Sequence, residues 1–283
     1  MTDNFLRDLA DDGLYLPPIK LHSLEKIRRH NYYASLFATG MKESWPQLAY
    51  VGLYSGAGRA RVEPSGEIVE TTAMSVMRLA SPFTKYVFVD NDPRCIEALR
   101  QRVAAVPGTL DVSVLEGDVN EIVPLVRGAL PRYSRTKGLL SFCFVDPFAA
   151  DLRFDVIRAL SSFRMDFLIL LMLGWDARVN FLRYYRDHSS SRIAELIDCP
   201  TWRDEYERAG DRNVVRFLLG KFDEAMVRLG YLHPRPRHYH QVTAAGMGVL
   251  QYILVLYSKH ALALKFWDGA LRASSRQLDF GLE

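Results

Sequence analysis

Three aspartates and a glycine-rich turn are the residues whose types and positions could do chemistry. Tyr50-Val-Gly-Leu-Tyr-Ser-Gly-Ala-Gly58 is an apolar run that breaks into glycines. Backbone without side chains turns tightly and admits a ligand closely, so Tyr54, Ser55, Gly56 and Gly58 are candidate binding residues. Asp90 closes a second apolar run, Tyr86-Val-Phe-Val-Asp90, where a carboxylate can accept two hydrogen bonds from ribose hydroxyls. Asp118 follows in Glu-Gly-Asp, placed to accept from an adenine amine or, alternatively, to cap a helix starting at Val119. Asp92 is a candidate cap for a helix opening at Pro93. Asp146 stands in Phe-Cys-Phe-Val-Asp-Pro-Phe148. A carboxylate there, with the carbonyl after it, can hold the lone pair of a target amine toward an electrophile. Pro147 removes a competing N–H donor, and Phe148 offers a face for a flipped base. The alternative is a strand-end turn with a capping aspartate.

These residues need strands to carry them. Short apolar runs at 48–54, 86–90, 112–115, 139–145 and 167–173 alternate with helical patterns at 71–79, 93–106, 119–130 and 154–163. That alternation indicates βαβ units and a parallel sheet covered on both faces. Residues 1–22 read as an irregular lead-in, and 24–39 as a helix. Segment 176–210 breaks the rhythm and reads as an insertion after the fifth strand. A helix is expected at 213–229, and two strands at 238–243 and 250–257 suit an antiparallel pair. A last helix should cover 261–272. The expected division is 1–45 as lead-in and helix, and 46–283 as one domain. Five βα repeats closed by an antiparallel strand pair is the layout of the Rossmann-like class I methyltransferase fold, with an antiparallel last strand and helices on both faces. The third glycine of a dinucleotide fingerprint is missing, since Arg61 holds its place, and Pro64 and Gly66 intervene before any helix. That favours S-adenosylmethionine, which carries no phosphate, over a dinucleotide.

Bulk properties narrow the rest. Over 283 residues the chain is 49% hydrophobic and 24% charged, with a net charge of +3, as an ordinary globular protein would be. Cys95, Cys143 and Cys199 are widely spaced and form no metal or disulfide pattern. The acidic N-terminus lacks a signal-peptide pattern and no apolar run is long enough to span a bilayer, so a cytoplasmic protein without membrane contact is expected. His233, His238 and His240 lack the acidic or cysteine company of a metal site, and none is expected there. Arg183, Arg186, Arg235 and Arg237 lie among Phe181, Tyr184, Tyr185 and Tyr239, a composition that tracks phosphates and stacks bases. They are the expected substrate-binding residues for RNA or DNA, with a solvated surface as the alternative.

Taken in order, the lead helix with His22 and Lys26, Tyr-Ser-Gly-Ala-Gly58, Val-Phe-Val-Asp-Asn-Asp92, Glu-Gly-Asp-Val-Asn120, Phe-Val-Asp-Pro-Phe148 and Tyr-Ser-Lys-His-Ala-Leu-Ala-Leu-Lys-Phe-Trp267 resemble the three-Cys-motif partner protein family. The resemblance implies a methyltransferase-like fold and a partner, similar to radical S-adenosylmethionine proteins, whose own cysteines give the family its name. Such proteins often carry an acidic residue where this chain has Gly52, and a glycine where it has Ala149. Asp-Pro-Phe148 also resembles guanine-N2 tRNA methyltransferases over that strand alone. The expectation is an S-adenosylmethionine-dependent methyltransferase acting on an exocyclic base amine. Tyr54, Ser55, Gly56, Gly58, Asp90 and Asp118 would hold the cofactor, and Asp146, Pro147 and Phe148 would present the amine. The alternative is a noncatalytic subunit that keeps the fold to bind nucleic acid or the partner.

Overall fold

The computed structural model describes residues 9–132, 138–174, 189–210, 213–243 and 250–278, the last five of these by backbone alone. Its centre is a seven-stranded sheet. Strands β2 (Gln47–Leu53), β5 (Lys85–Asp90), β6 (Val112–Glu116), β7 (Leu139–Val145) and β8 (Met165–Leu171) are joined by parallel pairings. Strand β10 (Leu250–Tyr257) runs antiparallel to both β8 and β9 (Tyr239–Thr243). The spatial order is β6-β5-β2-β7-β8-β10-β9. Sequence order reverses at β2, with one reversed strand near the far edge. This is the Rossmann-like class I methyltransferase fold.

Alternation along the strands sorts side chains onto two faces. Tyr50, Phe88, Phe142, Leu168 and Leu254 point to one face, under α1 (His22–Met41), α2 (Thr72–Met77) and α9 (Ala261–Leu278). Val51, Val89, Cys143, Ile169 and Val255 point to the other. Four helices pack there: α4 (Val123–Ala129), α5 (Phe154–Leu160), α6 (Arg192–Ile197) and α8 (Val214–Arg228). Trp202, at the start of α7 (Trp202–Ala209), is fully buried in the same cluster. Among the described residues no helix is long and apolar enough to cross a membrane.

The structure differs from the sequence reading in two places. The lead-in is not irregular throughout. Strand β1 (Pro18–Lys20) pairs in parallel with β3 (Arg59–Glu63), and β3 forms an antiparallel pair with β4 (Ile68–Glu70). This three-stranded sheet fills the interval after the glycines. The helix expected from Val119 starts at Val123, after a turn in which Asn120 N–H donates to Asp118 Oδ1 at 2.8 Å. Asp118 thus closes a turn of its own rather than capping the helix directly. The lead-in is also tied to the rest of the chain. Arg102 of α3 (Pro93–Ala104) is buried, and its guanidinium donates to both carboxylate oxygens of Asp12 at 2.8 Å. It also donates to the carbonyls of Ala57 at 2.6 Å and Tyr15 at 3.1 Å.

One buried acid sets a pH dependence. Asp166 lies under α1, where Tyr33 Oη donates to it at 3.1 Å, and burial pushes its carboxyl up to about 7 from 3.8. The folded state keeps a proton that the unfolded chain releases, so this group's contribution to stability falls as pH rises between those two values. Asp166→Asn cannot ionise. Its stability relative to wild type should therefore grow across that window, by at most about 1.4 kcal/mol per pH unit. Urea unfolding at about pH 5 and about pH 8 measures it; a difference that stays flat would refute the assignment.

Candidate functional site

The parallel strands end together, and the loops beyond them hold most of the residues singled out from sequence. The chain leaves β2 through Tyr54 (φ 63°), Gly56 (φ 63°) and Gly58 (φ 83°), all in the left-handed region. Such a conformation costs a non-glycine residue about 1–2 kcal/mol, so Tyr54 is held there by its surroundings. Ser55 supplies part of that hold. Its N–H donates to Val89 O at 2.8 Å and its Oγ to Gly52 O at 2.8 Å. A Cβ built on Gly52 would stand 2.7 Å from Ser55 Oγ. No side chain fits at Gly52 while Ser55 is so placed, which explains the absence of an acid there.

Asp90 closes the turn from the neighbouring strand. Gly56 N–H donates to its Oδ2 at 2.7 Å, and Asp92 N–H to its Oδ1 at 3.0 Å. Each oxygen keeps a lone pair for a further donor. Asp92 caps α3 by accepting from Arg94 N–H at 2.9 Å, as its position before Pro93 implied. A Cβ on Gly56 would meet nothing within 4 Å, so that side of the turn is open. Gly58 is the opposite case: its Cβ would stand 2.7 Å from Met74 Cγ and 2.9 Å from Leu99 Cδ1.

Acid groups gather beside the turn. Burial, then the charges of Asp151, Asp118 and Asp90, push the Tyr54 phenol up. Its hydroxyl is buried without a hydrogen-bond partner among the described residues. Asp151 was missed in the sequence, although its place shortly after the fourth strand was a usable signal. Asp118 is exposed, with one oxygen committed to Asn120. Asn120 in turn donates to Asp151 O at 3.0 Å and accepts from Arg153 N–H at 2.8 Å, tying the two loops together.

Asp146 follows β7, its N–H donating to Leu53 O at 3.3 Å. That bond sets it beside the glycine turn. Pro147 is buried, and Phe148 is 82% exposed. The carboxylate has a partner the sequence did not disclose. Lys26 of α1 donates to both oxygens, at 2.8 and 2.6 Å, with the two side chains only 15% and 18% exposed. Other polar groups flank this pair. Glu25 accepts from Arg29 at 2.6 Å and lies 3.0 Å from His240 Nε2, and these contacts hold its carboxyl down at about 2. Tyr252 Oη donates to His22 O at 3.2 Å; burial, then the Asp146 and Glu25 charges, raise its phenol.

Of the expected substrate arginines, Arg235 and Arg237 are not brought to this edge. Strand β9 runs in the direction of β8, because both are antiparallel to β10. Residues before β9 therefore lie at the opposite edge of the sheet, and Arg235 and Arg237 with them. Arg237 is engaged there by Asp268 through two bonds of 2.9 Å. Arg183 and Arg186 lie outside the described residues.

The two turn glycines should respond differently to a methyl group. Gly58→Ala combines a left-handed backbone with a clash against α2 and α3, and should cost roughly 2–4 kcal/mol. Gly56→Ala carries the backbone term alone, about 1 kcal/mol. Thermal unfolding of both variants compares them, and equal losses would contradict the packing described.

No protein-family model matches the sequence, and no curated protein matches it. Among solved structures the chain is similar to an O-methyltransferase from Bacillus cereus in complex with SAH, at 9% identity over 84% of this chain and 87% of that one, with a TM-score of 0.41. It is similar to TYW2 from M. jannaschii in complex with AdoMet, at 9% identity over 91% and 87%, with a TM-score of 0.42. It is also similar to geranyl diphosphate methyltransferase in complex with SAM, at 14% identity over 81% and 85%, with a TM-score of 0.37. Likeness at this level assigns no activity, and the fold stands on its own strand order.

Proposed function

We propose that the chain is an S-adenosylmethionine-dependent methyltransferase acting on an exocyclic amine of a nucleic-acid base. We further propose that it works in the cytoplasm with a three-Cys-motif partner protein of the radical S-adenosylmethionine-like kind. The reading rests on one juxtaposition: the open glycine turn, Asp90 and Asp146-Pro147-Phe148 meet where the strand order reverses. Ligands of open parallel sheets bind at that point. The site also suits a cationic cofactor, because the negative charges of Asp151, Asp118 and Asp90 are all felt at Tyr54.

In this reading Asp90 offers its remaining lone pairs to ribose hydroxyls and Asp118 its remaining oxygen to the adenine amine. Tyr54, Ser55, Gly56 and Gly58 form the wall against which the cofactor lies. When bound, S-adenosylmethionine supplies a methyl group already activated on a sulfonium. The protein's part is then mainly proximity and orientation. Phe148 stacks on the base, and Pro147 fixes the loop that carries it. Asp146 accepts from the target amine and directs its lone pair, and its carboxylate is the acceptor within reach for the proton the amine gives up. Lys26 must share Asp146 with the amine or yield it.

The Lys26–Asp146 pair also favours a second reading. A carboxylate already filled by an ammonium suits a noncatalytic methyltransferase-like subunit that binds nucleic acid or its partner. Calorimetry with S-adenosylmethionine should give micromolar affinity for wild type, weakened at least tenfold in Asp90→Ala, about 1.4 kcal/mol. Asp146→Ala should keep cofactor binding and abolish methyl transfer to RNA or DNA. Absence of binding by wild type would defeat the cofactor assignment. Cofactor binding with no transfer, in the partner's presence as well as alone, would favour the second reading.

A further inference from the structure

A second concave site lies at the opposite edge of the sheet. Leu140 and Met165 line it at the beginnings of β7 and β8, whereas Asp146 follows the end of β7. A seven-residue strand separates the two sites by roughly 20 Å. The cavity measures about 380 Å³, within the range of small-molecule pockets. Phe37, Trp45, Leu140 and Phe266 form apolar walls, and Asp166 and Ser258 contribute polar groups.

The charges around it are lopsided. Arg164 and Lys259 line the cavity and are exposed, with the His260 imidazole beside them, and Asp166 is the only acid among the described residues that line it. Asp166 is buried beneath Tyr33, and burial raises its pKa. Lys259 has no carboxylate partner among the described residues. Its ammonium lies 3.4 Å from Ser161 O and 4.8 Å from the centroid of the Tyr231 ring. Partial burial lowers its pKa, as expected for a cation stripped of some water without an anion in exchange. The loop carrying Arg235 adjoins this mouth, since Leu232 N–H donates to Ser258 O at 2.9 Å.

We infer that this cavity binds a small organic anion with an aromatic or similarly compact apolar body. The body lies against Phe37, Trp45, Leu140 and Phe266, and the acidic head meets Lys259 with Arg164 and His260 beside it. The walls alone would accept a neutral molecule of the same shape. The ammonium, which has no carboxylate partner among the described residues, selects the acid.

Two fluorescent probes separate shape from charge. The first is anilinonaphthalene sulfonate, an aromatic anion; the second is phenylnaphthylamine, its uncharged counterpart. Wild type should bind both saturably at one site. Lys259→Glu should weaken the sulfonate roughly tenfold and leave the neutral probe within about twofold, since reversing one partly exposed charge shifts affinity by about 1.4 kcal/mol. Ala263→Phe, which fills the cavity from α9, should remove both. Leu262→Trp narrows the mouth from a position 37% exposed and should also weaken both, which keeps the test valid if Ala263→Phe fails to fold. Sulfonate binding that ignores Lys259→Glu, binding of both probes that ignores the filling variants, or no binding by wild type would each overturn the inference.

Discussion

The end of β2 imposes the constraint on which the site depends. This strand is buried on both faces and hydrogen-bonded along both edges, so its last polar groups have little access to water. Each must find a partner, because an unpaired buried backbone group costs free energy comparable to a lost hydrogen bond. The partners come from the neighbouring strands: Leu53 O takes the N–H of Asp146, Ser55 N–H reaches Val89 O, and Gly56 N–H reaches Asp90. Satisfying one strand end thus draws the loops after β5 and β7 to a single point. Three separated stretches of sequence become one cleft for reasons of backbone accounting.

Charge then divides that cleft. On one side the charges of Asp151, Asp118 and Asp90 all act on Tyr54, a field suited to a cation. On the other, Lys26 neutralises Asp146 at 2.6 Å. An ion pair so little exposed loses much of its Coulombic gain to desolvation, so its presence is weak evidence for stability. Its effect is positional. It ties the first turns of α1 to the end of β7 and fixes the Asp146 carboxylate in one orientation. The buried Arg102 plays a comparable part behind the glycine turn, joining the lead-in, the Ala57 carbonyl and α3.

The reversed strand β10 decides what lies at each edge of the sheet. Because it runs from the cleft to the far edge, antiparallel β9 must begin at the far edge, and the loop before it lies there with Arg237 engaged by Asp268. The same reversal sets Ser258 and Lys259 at the far edge, where α1 and α9 leave a cavity between them. The two ends of the sheet consequently differ in character: carboxylates lie at the strand ends beside β2, and the exposed Arg164 and Lys259 lie at the cavity opposite.

Sequence alone determined the alternation of strand and helix, the parallel sheet, the glycine turn and the carboxylates at strand ends. Each is a local pattern: a period of 2 or 3.6, a run of apolar residues that breaks at glycine, an aspartate one place beyond it. A local signal also existed for β3, where Arg59–Glu63 alternates between buried and less buried positions, but five residues with two arginines resemble a loop until a partner strand is supplied. Tertiary structure decided the rest. No spacing links Lys26 to Asp146 across 120 residues, or Arg102 to Asp12 across 90. Nor does periodicity reveal which way β9 runs, since a strand reads the same in both directions. Those contacts follow from which elements become neighbours, and that is set by burying both faces of the sheet at once.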